Sequence, residues 1–158
     1  MKTYYIKIGD PIEKAKQIGT TSDAQNSYYI YDNRYSDVTF YGESDFYSNS
    51  LHMRKTGTFD DGKLLYQSKK YNAYPEAIGS KLYIFTNDKA PNFKLMVADK
   101  ASAEYAKWKT LIPEGSTVMQ GYVVTKMGLS YRIRRIYKAA LLFTILMVKR
   151  SSSLHFPS

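Results

Sequence analysis

Short apolar runs separated by tight-turn residues recur along most of this chain, at roughly the 8–12-residue spacing of sandwiches, barrels and propellers. No other feature narrows the fold as far. The runs lie at residues 4–8, 27–31, 37–41, 50–54, 63–67, 81–86, 93–98, 108–112 and 117–125. Between them sit Gly9-Asp10-Pro11, Asp60-Asp61-Gly62, Gly79-Ser80, Asn87-Asp88 and Pro113-Glu114-Gly115-Ser116. Glycine reaches positive φ, proline presets φ, and Asn and Asp bond nearby backbone, so each cluster favours a chain reversal. Tyrosine occurs 16 times, and many copies sit in these runs beside Ile, Val, Leu and Phe. Such residues suit a pleated, half-buried surface.

Helical signal is weak. Residues 11–17 and 101–107 have room for a turn or two each, too little to organise a helical layer. The expected class is therefore all-β. A propeller repeat is about 40–50 residues, so a chain of this length holds about two to three antiparallel four-stranded blades.

The net charge of +9 points at first to an anionic partner, but its distribution argues otherwise. Residues 1–114 hold 16 Lys and Arg and all 14 Asp and Glu, whereas residues 115–158 hold 7 basic residues and no acid. The larger part thus has the mixed, near-neutral surface of an ordinary domain. The expected boundary falls after residue 125, with 1–125 as blades and 126–158 as a basic, apolar tail. The apolar run at 139–148 is ten residues, about half of what a membrane helix needs. A buried strand or helix is the better reading, and no membrane partner is expected. Arginine and tyrosine mingle at 131–138, a mix that can bind single-stranded nucleic acid. The charge is local rather than spread along a groove, so a solvated strand face is the preferred reading, with no nucleic acid. The opening Met1-Lys2-Thr3-Tyr4-Tyr5-Ile6 lacks the apolar core and cleavage site of a secretory signal. Cytoplasmic and periplasmic settings are both compatible with it.

One stretch is more specific. Lys81-Leu82-Tyr83-Ile84-Phe85-Thr86-Asn87-Asp88-Lys89-Ala90-Pro91-Asn92-Phe93-Lys94-Leu95 reads as a strand ending in Thr-Asn, a turn with a small residue and Pro, then an aromatic-basic-Leu strand. Val97-Ala98-Asp99 and Trp108-Lys109-Thr110-Leu111-Ile112-Pro113-Glu114 follow it. Upstream, Ser22-Asp23 precedes Tyr28-Tyr29-Ile30. Together these resemble propeller strands and turns of the prolyl oligopeptidase family, over roughly residues 4–125. On residue grounds alone, Phe93, Leu95 and Val97 alternate with Lys94 and Met96, which predicts one packed face rather than a substrate contact.

The resemblance implies a partial propeller that caps an α/β-hydrolase domain of the same parent protein. In the family that propeller restricts entry, so that short peptides pass through it and are cut after proline while folded proteins are excluded. A serine nucleophile of this family sits in a Gly-x-Ser-x-Gly elbow. The near misses are Gly42-Glu43-Ser44-Asp45-Phe46 and Gly128-Leu129-Ser130-Tyr131-Arg132, and both lack the second glycine. The only histidines are His52, in an expected strand, and His155, in the polar end. The expectation is therefore no catalytic residue in this chain. No cofactor or metal is expected either: there is no cysteine, the histidines are isolated, and Asp60-Asp61-Gly62 reads as a hairpin turn. Two or three blades cannot close a ring, so self-association is a further expectation. The rival reading is a self-contained all-β interaction module whose basic tail contacts an anionic partner.

Overall fold

The computed structural model describes residues 1–125, 128–137 and 140–148. It is built almost wholly of antiparallel strands. They are β1 (Lys2–Tyr5), β2 (Lys16–Thr20), β3 (Ser27–Asp32), β4 (Val38–Ser44), β5 (Ser50–Lys55), β6 (Lys63–Gln67), β7 (Ala73–Ile78), β8 (Lys81–Thr86), β9 (Lys94–Asp99), β10 (Lys109–Ile112), β11 (Met119–Thr125), β12 (Gly128–Tyr137) and β13 (Ala140–Val148). Two four-stranded meanders, β3-β4-β5-β6 and β7-β8-β9-β10, are flanked by a two-stranded sheet of β1 and β2 and a three-stranded sheet of β11 to β13. Only single 3-10 turns interrupt the strands, at Ile12–Lys14, Lys100–Ser102 and Tyr105–Lys107. The chain divides into two compact units, Met1–Ala73 and Tyr74–Ser158.

In the first unit, β4 is covered on both sides, and its residues Val38 to Gly42 are all buried. Phe40 and Leu51 are fully enclosed. The β1–β2 pair lies against the other face of this sheet through Tyr28, whose hydroxyl donates to the Ile18 carbonyl at 3.2 Å. A Cβ on Gly19 would come within 2.3 Å of that tyrosine ring, so the approach needs glycine. At the end of the unit, the Asn49 amide both donates to and accepts from the backbone of Ala73, at 2.8 Å each way. A buried side chain thus stands in for a ladder pairing.

In the second unit, Tyr83, Leu95, Ile112, Met119 and Leu129 form the core between the β7–β10 meander and β11–β12. Phe93 and Val97 pack against it, as the alternation predicts. Phe85 stacks on Phe93 with ring centres 4.6 Å apart. The two halves of the family-like motif are joined by hydrogen bonds. The Thr86 hydroxyl accepts from the Asp88 N–H at 3.0 Å, and the Tyr105 hydroxyl donates to the Asp88 carboxylate. The Asn92 N–H donates to Glu114 at 2.6 Å, and its amide donates to the Gly115 carbonyl at 3.0 Å. The Pro-Asn-Phe turn and the Pro-Glu turn therefore brace each other.

Two strands depart from the sequence expectation. Residues 11–17 were expected to coil; only Ile12–Lys14 does, and β2 begins at Lys16. β7 contains Pro75, which argues against a central strand. It is an edge strand, where proline is tolerated, and Ala73, Pro75 and Ala77 alternate inward as small buried residues. The 140–148 run pairs with β12 as a strand. Among the described residues, no helix is long and apolar enough to cross a membrane.

Candidate functional site

The polar end of the first four-stranded meander is the most structured candidate. It forms where the turn before β3, the β4–β5 turn and the segment after β6 come together. Ser22, Asp23, Asn26, Glu43, Asp45 and Ser68 line a cavity there of about 430 Å³. One oxygen of Glu43 accepts four hydrogen bonds: from the Ser22 N–H and hydroxyl, both at 2.8 Å, from the Asp23 N–H at 3.2 Å, and from the Asn26 amide at 2.7 Å. The Ser-Asp turn that opens the blade is thus held by a carboxylate two strands' length away in sequence.

Burial works against the ionised form of Glu43. The hydrogen bonds from Asn26, Ser22 and Asp23 outweigh it and hold the carboxyl below its ordinary value. Asp45 is held below its ordinary value chiefly by the Tyr47 N–H, with Ser48 adding to it against a smaller desolvation cost. Its carboxylate accepts from the Tyr47 and Ser48 N–H groups at 2.6 Å each, which closes the β4–β5 turn. A group whose pKa is depressed on folding stabilises the fold above its unfolded value, and that contribution is lost as pH falls through the folded value. Glu43→Gln should therefore destabilise the chain at neutral pH by about 1 kcal/mol, the half-open setting keeping the effect small. The variant should also lose less stability than the wild type on acidification through the carboxylate range. Urea denaturation at neutral and acidic pH measures both.

The first elbow-like segment has a structural explanation. A Cβ on Gly42 would approach the Ser50 carbonyl oxygen to 2.1 Å and the Tyr29 hydroxyl to 3.0 Å. Glycine there lets the Tyr29 hydroxyl cross over and donate to that carbonyl at 2.6 Å. Ser44 lies at the end of β4, opposite Ser27, in an extended strand rather than at a strand-to-helix turn. Ser130 lies within β12, opposite Val123, beside a smaller cavity of about 290 Å³. His52 stacks on the Tyr41 ring at 5.0 Å, and its Nδ1 is buried without a hydrogen-bond partner. Burial pushes its imidazole below the usual histidine value, against an opposing backbone interaction with Tyr41. Among the described residues, no hydrogen bond joins His52 to either serine. His155 lies outside the described residues. Asp60-Asp61-Gly62 falls in the β5–β6 connection, where the Asp61 carbonyl accepts from the Tyr41 hydroxyl.

Sequence reasoning placed Ser22-Asp23 in the opening turn of a blade but missed Glu43 as its partner. The only sequence signal was an acid near the end of a buried strand. What the cavity offers is hydroxyls, amides, carboxylates and the Lys69 ammonium, a lining suited to hydrogen-bonding.

Four-stranded meanders, each with a second sheet against its face, define this chain as part of a β-propeller. The model of the prolyl oligopeptidase N-terminal β-propeller domain matches residues 1–141, and the chain belongs to that family. Solved structures agree on the fold. A structure from a study of two prolyl endopeptidases aligns with a TM-score of 0.76 over 98% of this chain and 23% of its own, at 19% identity. Oligopeptidase B from Leishmania major aligns at 0.74 over 94% of this chain and 21% of its own, at 15% identity. Prolyl oligopeptidase B from Galerina marginata, bound to a 35mer hydrolysis and macrocyclization substrate, aligns at 0.69 over 90% and 22%, at 18% identity. The chain spans about a fifth of the length of these proteins. No curated protein matches it in sequence.

Proposed function

We propose that this chain is a non-catalytic part of the propeller of a prolyl oligopeptidase-like serine endopeptidase. It supplies wall and steric filter above a separate α/β-hydrolase domain, and short proline-containing peptides reach that domain past it. The observation that carries this reading is the family match over residues 1–141, laid on two complete four-stranded meanders. The extended setting of Ser44 and Ser130 supports the view that none of the chain's own residues performs acyl transfer.

A chimera tests the filter role. Residues 1–141 would replace the matching blades of a prolyl endopeptidase of known structure. The chimera should fold, cut a short Gly-Pro substrate and leave a large unfolded protein such as casein intact. A folded chimera that digests casein as readily as the short substrate would overturn the proposal.

A further inference from the structure

A third cavity, of about 450 Å³, lies between the β1–β2 pair and the face of the β3–β6 sheet, away from the polar end. Its floor is Arg54, a cation only 7% exposed. Arg54 sits on β5 opposite Thr39 of β4, which sits opposite Asp32 of β3, so the three share one face of the sheet. The guanidinium carbon lies 4.7 Å from the centre of the Tyr41 ring and 5.5 Å from that of Phe59. Its hydrogen bond is a long one, from Nη1 to the Asp60 carbonyl at 3.4 Å, and Nε is buried with no partner.

Neither nearby carboxylate, Asp32 or Asp60, forms an ion pair with Arg54. Asp32 accepts from the Thr39 hydroxyl at 2.5 Å, and Asp60 accepts from the Thr58 hydroxyl at 3.1 Å. The ion pairs of Lys14 with Asp10 and of Lys81 with Asp99 do not involve Arg54. Arginine does not shed its proton, so it cannot relieve burial by neutralising. Aromatic faces offset part of the cost of a buried charge, but a buried cation is normally matched by an anion.

The rest of the lining indicates what that anion carries. Tyr4, Tyr5, Ile18, Ile30, Tyr31 and Phe59 make the walls largely aromatic and aliphatic. Phe59 tilts against Tyr5 at 4.8 Å, and the Lys16 ammonium lies 5.1 Å from its ring centre. Asp32 on the same wall repels any anion and a doubly charged one most, so the site favours a single negative charge. A cavity of this size is within the range of small-molecule sites.

We propose that this cavity binds a singly charged carboxylate bearing an aromatic or bulky apolar group, its oxygens paired with the guanidinium of Arg54. A free aromatic acid and the C-terminus of a peptide share this chemistry. The site is separate from the polar end and does not depend on the filter role.

Calorimetric titration of the full 158-residue chain tests it. The probes are 3-phenylpropanoate, its neutral amide and inorganic phosphate, with N-acetyl-Gly-Phe as free acid and as C-terminal amide. Phenylpropanoate should bind at least about tenfold tighter than its amide, and tighter than phosphate. Binding of N-acetyl-Gly-Phe acid as well would assign the site to peptide ends; binding of phenylpropanoate alone would assign it to small acids. Arg54→Met should weaken acid binding by about tenfold or more, while Arg54→Lys retains part of it. Thermal melts of both variants check folding, and the acid-against-amide comparison on the wild type stands without them. Equal affinity for acid and amide, preference for phosphate, no acid binding at about 10 mM, or full binding by a folded Arg54→Met would each overturn the proposal.

Discussion

Leu95→Ala is expected to destabilise the second unit by about 2–5 kcal/mol, among the largest effects of any single truncation in the chain. Leu95 is fully buried and sits among Tyr83, Ile112, Met119 and Leu129. Those neighbours come from β8, β10, β11 and β12, so the void would border side chains from four strands. Each strand is fixed by its ladder, and the site can collapse only a little. The cost is then the lost transfer energy plus most of the cavity term. Domains of this size are stable by about 5–15 kcal/mol, so the loss takes a large share of the margin. Trp108 is the only tryptophan and lies in the same unit, so its fluorescence reports the transition directly. Urea titration should show the midpoint falling with little change in slope. An unchanged midpoint would mean that the packed face is not as described.

Trp108→Ala should cost about 3–5 kcal/mol, by a different route. The indole is only 9% exposed and meets the Tyr105 ring edge-on at 5.2 Å. Its N–H donates to the Ala103 carbonyl at 2.8 Å, across the 3-10 turn Tyr105–Lys107 between β9 and β10. Truncation removes the filling of that crossover and leaves a buried carbonyl short of a donor. It also loosens Tyr105, whose hydroxyl holds Asp88 in the Thr-Asn turn. Far-UV circular dichroism replaces fluorescence as the readout for this variant. A midpoint equal to the wild type, in a chain that still unfolds cooperatively, would show that Trp108 faces solvent or a ligand instead of packing.

The strand rhythm was readable because β4, β8 and β9 advertise themselves: dense apolar residues bounded by Gly, Asn, Asp and Pro. β7 hid behind Pro75 and two alanines, since its buried face is made of small residues. β2 hid because Lys16-Gln17-Ile18-Gly19-Thr20 has one large apolar residue and takes its place from the pairing with β1. The motif at 81–114 was readable as a string, but its internal logic was not. That Asn92 and Glu114 clasp each other, 22 residues apart, is a tertiary fact. The same holds for the cavities at the polar end and at Arg54. Glu43 reaches back to the Ser22 turn across 21 residues, and Arg54 shares its cavity with residues of the β1–β2 pair, arrangements that no local window contains. Gly42-Glu43-Ser44 drew notice as a possible elbow, and the glycine turns out to make room for the Tyr29 hydroxyl.

The central claim, that this chain forms propeller wall and carries no peptidase chemistry, is tested most directly by treating the purified chain with a fluorophosphonate serine probe beside a chromogenic Gly-Pro substrate. The account predicts no turnover, and no labelling above that of heat-denatured protein. Specific labelling of Ser44 or Ser130, abolished by the corresponding alanine substitution and accompanied by substrate cleavage, would contradict it.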